Sequence, residues 1–333
     1  MKAIVAKSGS GAQDTGAFIL KEQPTPEPGQ QDLLVRVIAI GMNPVDTKVR
    51  QRTQDDCVLG WDAYGTVEKT GEGVTGFKAG DKVYYAGDIT RPGSNSEYHL
   101  VDQRIAAIAP EKLSPEDAAA MPLTSITAWE GLFERLGFVP AANGNSGKSI
   151  LIIGGAGGVG SVAIQLARWT GLKVFATASR METVDWCKKL GADIILNHRN
   201  SLYEELKAAG TDSVDAIFCT TQMERHWGVM AECIRPQGRI VLIDDPLDSL
   251  DITVFKLKSV TLCWEMMYTK SMFQTDDMSE QGKLLSTVAG LLDEGTLVTT
   301  RQKTLTGLTP ENIKAMHIKQ ESGTMMGKQV LVL

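Results

Sequence analysis

Apolar and polar positions change their rhythm once along this chain. Up to about residue 120 they form short runs broken by Gly and Pro, which predict strands at Lys2–Lys7, Leu33–Gly41, Tyr64–Lys69, Lys82–Tyr85, Glu97–Val101 and Ile105–Ala109. This first stretch reads as a compact all-β unit. After Pro122 a helical stretch, Ser125–Leu136, leads through the polar loop Ala141–Gly147 into strands alternating with helices. Strands are expected at Ser149–Ile153, Lys173–Ala178, Ile194–Leu196, Val214–Cys219, Arg239–Ile243 and Val260–Trp264. Helices are expected between them at Gly158–Thr170, Met181–Leu190, Leu202–Ala209 and Met223–Ile234. Six strands joined by crossover helices predict an α/β fold with a doubly wound parallel sheet. Two more helices, Gly282–Asp293 and one near Pro310–Gln320, precede a final strand, Lys328–Leu333. That strand has no natural place in the doubly wound sheet, so the tail is expected to rejoin the N-terminal unit. The division expected is 1–123 plus 294–333 for the first domain and 124–293 for the second.

The junction of the first parallel strand with its helix carries the strongest chemical signal. Ile150-Leu151-Ile152-Ile153 runs into Gly154-Gly155-Ala156-Gly157-Gly158-Val159-Gly160 and then into a helix with Ala163, Ile164 and Ala167 on one face. Strand, glycine turn and helix in that order form a dinucleotide site. Gly155 is expected to make the tight turn, Gly157 to let backbone N–H groups approach a pyrophosphate, and Gly160 to let helix and strand pack closely.

Composition narrows the partners. The 333 residues suffice for about two domains with packed cores, at 43% hydrophobic content. A net charge of −6 argues against nucleic acid or an anionic membrane, which reward basic surfaces. No apolar run approaches the roughly 20 residues of a membrane span, and Met1–Lys7 is too short and strand-like for a signal peptide, so a cytoplasmic address is expected. Cys57, Cys187, Cys219, Cys233 and Cys263 are scattered and odd in number, as reduced thiols would be.

Several strings sharpen the picture. Ile40-Gly41-Met42-Asn43-Pro44-Val45-Asp46-Thr47-Lys48-Val49-Arg50, Leu59-Gly60-Trp61-Asp62, Gly80-Asp81-Lys82-Val83-Tyr84 and Leu123–Trp129 span much of the chain with the β unit first and the nucleotide fold second. Together they resemble the medium-chain dehydrogenase/reductase superfamily, in its quinone oxidoreductase-like branch. Phe273-Gln274-Thr275 and Gly327-Lys328-Gln329-Val330-Leu331 point to the zinc-type alcohol dehydrogenase-like proteins within it. The resemblance implies a GroES-like β-barrel domain completed by the C-terminal segment, a Rossmann domain, and a homodimer pairing the last parallel strands edge to edge.

The resemblance also implies a zinc, and the residues at the ligand positions disagree. Asn43 stands where the first Cys ligand would, Gly60-Trp61-Asp62 replaces a Gly-His-Glu string, and Thr124, Ser125 and Thr127 occupy the junction. Catalytic zinc takes three protein ligands, and only Asp62 remains a plausible one, so no metal is expected. His99, His226 and His317 read as surface or hydrogen-bonded histidines.

About twenty residues beyond the glycine turn an NAD enzyme presents an acid to the ribose hydroxyls, whereas this chain presents Ala178-Ser179-Arg180. A hydroxyl and a guanidinium suit a 2′-phosphate, so NADPH is the expected cofactor. His198 and Arg199 offer a second contact, and Thr220, after the strand beside the turn, is a further candidate cofactor-binding residue.

Without a Lewis acid, the substrate oxygen must be polarised by hydrogen bonds, which favours a quinone or an α,β-unsaturated carbonyl. Asn43, Lys48 and Thr127 are the candidate donors, with Asp46, Asp62 and Tyr64 orienting them and Trp61 either lining the pocket or packing in the core. Lys48 has two readings, polarising an oxygen or reaching out to solvent. Two other functions stay open: a zinc alcohol dehydrogenase, and a protein that binds NADPH without turnover.

Overall fold

A computed structural model describes residues 1–333, which fall into two compact units: 1–126 with 268–333, and 127–267.

The first unit begins with β1 (Lys2–Ala6), β2 (Phe18–Glu22), β3 (Asp32–Gly41), α1 (Pro44–Arg52), β4 (Cys57–Val58), β5 (Ala63–Thr70), β6 (Lys82–Tyr85), β7 (Tyr98–Asp102), β8 (Ala106–Ile108) and α2 (Pro115–Ala119). Helix α3 (Pro122–Trp129) leads onward and continues as a π-helical segment, Glu130–Arg135. The second unit holds β9 (Ser149–Ile153), α4 (Gly158–Trp169), β10 (Lys173–Thr177), α5 (Met181–Lys189), β11 (Ile194–Leu196), α6 (Leu202–Ala208), β12 (Val214–Cys219), α7 (Met223–Cys233), β13 (Ile234–Leu242) and β14 (Thr261–Trp264). The chain then returns through α8 (Thr269–Phe273), α9 (Glu280–Asp293), β15 (Arg301–Thr306), α10 (Pro310–Glu321) and β16 (Lys328–Val332).

The second unit is the doubly wound sheet. Its six strands are parallel in the order β11-β10-β9-β12-β13-β14, so the chain reverses direction of travel between β9 and β12. Ile150, Leu151 and Ile152 are fully buried, as expected for a central strand covered by helices on both faces. Strand β13 begins earlier than its apolar run suggests. Residues 235–238 bulge out of the ladder between the pairs Val214–Ile234 and Ala216–Arg239, with Gln237 at φ +59°.

In the first unit β16 lies between β15 and β3, parallel to one and antiparallel to the other, within the sheet β15-β16-β3-β5-β6-β8. The tail therefore rejoins the N-terminal unit, as expected.

Two features depart from the sequence reading. The first unit is not all β, since α1 and α2 interrupt the strands. Pro44 at the first helical position after Asn43, and Pro115 after the Ser114 cap, are helix starts that β-periodicity overlooks. Residues 268–293 also group with the first unit rather than the second. The Tyr84 hydroxyl donates to Leu285 O at 2.5 Å, and Gly282 lies so close to Arg104 O and Ala106 O that a Cβ would stand 2.8 and 2.9 Å from them. The apolar face of α9, including Leu284, Leu285, Val288 and Leu292, is buried there.

Candidate active site

Three strands and one helix of the first unit bring a polar knot into its core. Asn43 follows β3 and caps α1, Asp46 is the third residue of that helix, Asp62 precedes β5, and Lys328 opens β16. Asn43, Asp46, Asp62 and Lys328 are exposed by only 0, 1, 0 and 3%. Lys328 Nζ donates to Asp62 Oδ2 at 2.7 Å and to Asn43 Oδ1, while Asn43 Nδ2 donates to the same Asp62 oxygen at 2.8 Å. The other Asp62 oxygen accepts from Leu123 N–H at 2.7 Å. Asp46 Oδ2 reaches back to the Asn43 N–H at 2.7 Å, which satisfies one orphan donor of α1.

Charges buried this deeply cost several kcal/mol each unless paired. Burial pushes the Asp62 carboxyl above its ordinary range, and the Lys328 ammonium is the largest influence opposing it. Asp46 has no ammonium in contact, and burial pushes it up to about 7 against the pull of the Asn43 N–H and the more distant Lys328. One of its oxygens, Oδ1, lacks a partner, as does the buried hydroxyl of Tyr268, whose titration burial and the Asp46 charge drive well above the usual phenol range.

The sequence-derived roles resolve unevenly. Asn43 was expected to donate to substrate, yet its carbonyl and one amide hydrogen are engaged and the residue has no exposed surface. Lys48, one turn further along α1, is half-buried. Trp61 is buried, its Nε1–H donates to Asp88 O at 3.1 Å, and it borders a cleft of about 440 Å³ with Val49, Cys57, Ile89 and Pro92. Tyr64 is buried on β5. Thr127 belongs to the second unit, where it is buried on α3. Lys328 had no site role in the sequence reading. An ammonium opening the apolar run Val330-Leu331-Val332 was its one visible signal.

This donor set does not fit a zinc ion. The only carboxylate at the ligand positions, Asp62, already holds an ammonium and two N–H groups, and an amide and an indole replace thiolate and imidazole. No group of three or more His, Cys, Asp or Glu side chains stands together as a metal site would require.

In the second unit the glycine turn follows β9 at its carboxyl end, beside the switch in strand order, where open α/β sheets bind ligands. The left-handed turn residue is Gly154, at φ +83°, rather than Gly155. A Cβ on Gly154 would run into the Thr220 hydroxyl, while one on Gly155 would meet Ala176 Cβ at 2.9 Å. Gly160 packs against the Gly154 carbonyl with no room for a side chain, the close approach expected of it. Gly157 caps α4, and no side chain bonds to that helix end, so the first-turn N–H groups at Gly158, Val159 and Gly160, just past Ala156, have no side-chain acceptor. Thr177 Oγ1 accepts from Gly154 N–H at 2.9 Å and Thr220 Oγ1 donates to Ile153 O at 2.8 Å. Thr220 thus braces the turn.

Ser179 and Arg180 follow β10, where Arg180 starts α5 and its guanidinium lies 3.5 Å from Glu182. His198 follows β11. Burial lowers its pKa, with Arg225 and then Arg199 adding to the effect. Arg225, absent from the sequence reading, donates to His198 O at 3.2 Å from the first turn of α7. Arg199 and Arg225 thus stand near His198 after β11, while Arg180 follows β10 beside Glu182.

A buried carboxyl pair lies elsewhere in this unit. Glu265, just past β14, accepts from Arg135 Nε at 2.8 Å through Oε2, while its other oxygen, Oε1, has no hydrogen-bond partner, and Glu130 of the π-helical segment is the like charge acting on it. Burial first, and Glu130 second, push Glu265 up to about 9.

The comparisons agree with this architecture. Residues 29–111 match the alcohol dehydrogenase GroES-like domain family and 158–283 the zinc-binding dehydrogenase family. A zinc-type alcohol dehydrogenase-like protein of Staphylococcus aureus is 42% identical over 99% of both chains. A 2-methylene-furan-3-one reductase of tomato is 38% identical over 58% of this chain and 50% of its own. The crystal structure of a Rhizobium etli protein bearing a zinc-dependent alcohol dehydrogenase name superposes with a TM-score of 0.95 at 47% identity, covering 100% of this chain and 98% of the other. With a GroES-like unit and a doubly wound nucleotide fold in one chain, and a relative of this closeness along its whole length, the protein belongs to the medium-chain dehydrogenase/reductase superfamily as an oxidoreductase among the zinc-type alcohol dehydrogenase-like proteins.

Proposed function

We propose that this oxidoreductase transfers hydride from NADPH to a quinone or an α,β-unsaturated carbonyl without zinc. The observation that carries the reading is the buried Lys328–Asp62–Asn43 knot, in which an ammonium of the chain itself engages the one carboxylate left at the ligand positions. With no ligand set for a Lewis acid, the reaction must leave negative charge that is delocalised. An enolate or a hydroquinone anion meets that condition and an aliphatic alkoxide does not. The tomato relative, named for an exocyclic enone, supports the same class.

Once bound, the nicotinamide supplies the hydride. Gly157, Gly158, Val159 and Gly160 would hold the pyrophosphate, and Ser179, Arg180, His198 and Arg199 the 2′-phosphate. Lys48 is the candidate donor to the substrate oxygen in the first unit, and Thr127 is the candidate from the second. Asn43 and Asp46 act through α1: by fixing its first turn they set the direction of Lys48, which makes them positioning residues. Exposed Trp264 and Met266 flank the end of β14, an unpaired edge that favours a homodimer built by strand pairing. No helix is long and apolar enough to cross a membrane, and a cytoplasmic address is part of the proposal.

NADPH consumption across a panel of quinones, enones, aldehydes and alcohols tests it, with elemental analysis of the same sample. Turnover of quinones or enones at substoichiometric zinc is the expected result. Stoichiometric zinc with chelator-sensitive alcohol oxidation would overturn the proposal, and tight NADPH binding without any turnover would replace it with a binding role.

A further inference from the structure

The second unit carries a second basic recess at the end of its sheet opposite the glycine turn. Lys148 stands immediately before β9, and the turn begins immediately after it, so the length of a five-residue strand, about 16 Å, separates the two places. The recess has a volume of about 280 Å³ and is lined by Lys148, Asp215, Arg235, Gln237 and Arg239 with Phe138 at its side.

Charge is uncompensated here. Asp215 is the only carboxylate of the lining, and it is fully engaged: Oδ2 accepts from Ser149 N–H at 2.8 Å and from its hydroxyl at 3.0 Å, and Oδ1 accepts from Arg235 Nε at 2.8 Å. That leaves Arg239, whose one hydrogen bond is a long 3.4 Å contact to Arg135 O, and Lys148, which lies 5.8 Å over the Phe138 ring with no carboxylate in reach. Two full positive charges are thus unpaired in a chain whose net charge is −6.

The backbone is bent to make this arrangement. Gln237 adopts φ +59° in the irregular opening of β13, a left-handed conformation that is strained for a non-glycine residue. The bend brings Arg235 and Arg239 to one recess from either side of Gln237.

We propose that this recess binds a small phosphorylated anion, at a site separate from the dinucleotide turn. Guanidinium groups present planar forks to phosphoryl oxygens and the lysine adds a point charge, so three cations around a recess of this size match a phosphoryl group better than a lone carboxylate.

Calorimetric titration with pyrophosphate and with inorganic phosphate tests it, at constant ionic strength, on protein with and without saturating NADPH. Saturable uptake that persists when NADPH is present is expected. It should weaken at least tenfold in Lys148→Gln/Arg239→Gln and measurably in Lys148→Gln alone, while Lys303→Gln, an exposed cation of β15, leaves it unchanged and the thermal midpoint of each variant stays at the parent value. Absence of saturable uptake overturns the proposal. So does uptake that survives the double substitution, vanishes on adding NADPH, or is matched by chloride.

Discussion

Lys328 Nζ lies 2.7 Å from Asp62 Oδ2 with both side chains closed to solvent, although 266 residues separate them along the chain. Removing one member of such a pair strands the other charge in the core. Lys328→Met is expected to lower unfolding stability by about 3–5 kcal/mol. Adding Asp62→Asn to that variant should recover a substantial part of the loss. A double-mutant cycle by urea unfolding measures the coupling, and strictly additive effects would show the pair to be energetically idle.

Gly157 and Gly160 separate folding from binding. A Cβ at Gly160 collides with the Gly154 carbonyl, whereas at Gly157 the nearest atom, the same carbonyl, is 3.5 Å away. Gly160→Ala should therefore lower both stability and NADPH affinity. Gly157→Ala should keep the melting temperature and lose affinity, because the methyl group occupies the pyrophosphate's approach. Cofactor titration by fluorescence, beside a thermal melt, distinguishes the two; equal affinity in Gly157→Ala would move the phosphates elsewhere.

Arg180 sets the cofactor preference if it meets a 2′-phosphate. A charge-assisted hydrogen bond contributes roughly 1.5–3 kcal/mol, so Arg180→Gln should cut the ratio of kcat/KM for NADPH over NADH about tenfold to a hundredfold. The loss should fall on NADPH alone. An unchanged ratio would show that Arg180 only begins its helix.

Glu265 predicts a pH dependence of stability. Burial and the neighbouring Glu130 push its carboxyl up to about 9 in the folded chain, well above the ordinary carboxylate range, so the folded chain keeps a proton that the unfolded chain releases. Stability from this group is then greatest below about 4.5, falls as pH rises through the interval, and levels off above 9. Glu265→Gln cannot titrate. Relative to wild type it should gain stability steadily from pH 5 to pH 9 in urea melts, and parallel profiles would contradict the upward shift of Glu265.

Much of this was written locally, and what was not depends on distance. Ser149–Ile153, Ile194–Leu196 and Val214–Cys219 are strands to the residue because a doubly covered strand is apolar throughout and ends abruptly in turn residues. The glycine turn was legible for the same reason, down to one shift: the left-handed position is Gly154, one residue before the expected one, because two adjacent glycines read alike until Thr220 fixes which must lack a side chain. Asn43, Asp46 and Asp62 were recognisable as a group. That Asn43 spends its amide on Lys328 and Asp62 was not, since a hydrogen bond between residues 43 and 328 leaves no periodicity in either segment. Glu130 and Glu265 were hidden likewise, as two acids amid many until burial made them neighbours.

The position of β16 has a consequence for how the molecule is made. Lys328 arrives on a strand that slots between β15 and β3, long after Asp62 has left the ribosome. Until then the carboxylate has no cation to meet, so the nascent first unit stays electrostatically unfinished while the nucleotide fold, contiguous in sequence, is free to close. Chains halted short of residue 328 should consequently leave Asp62 without its cation and the sheet without the strand that joins β15 to β3.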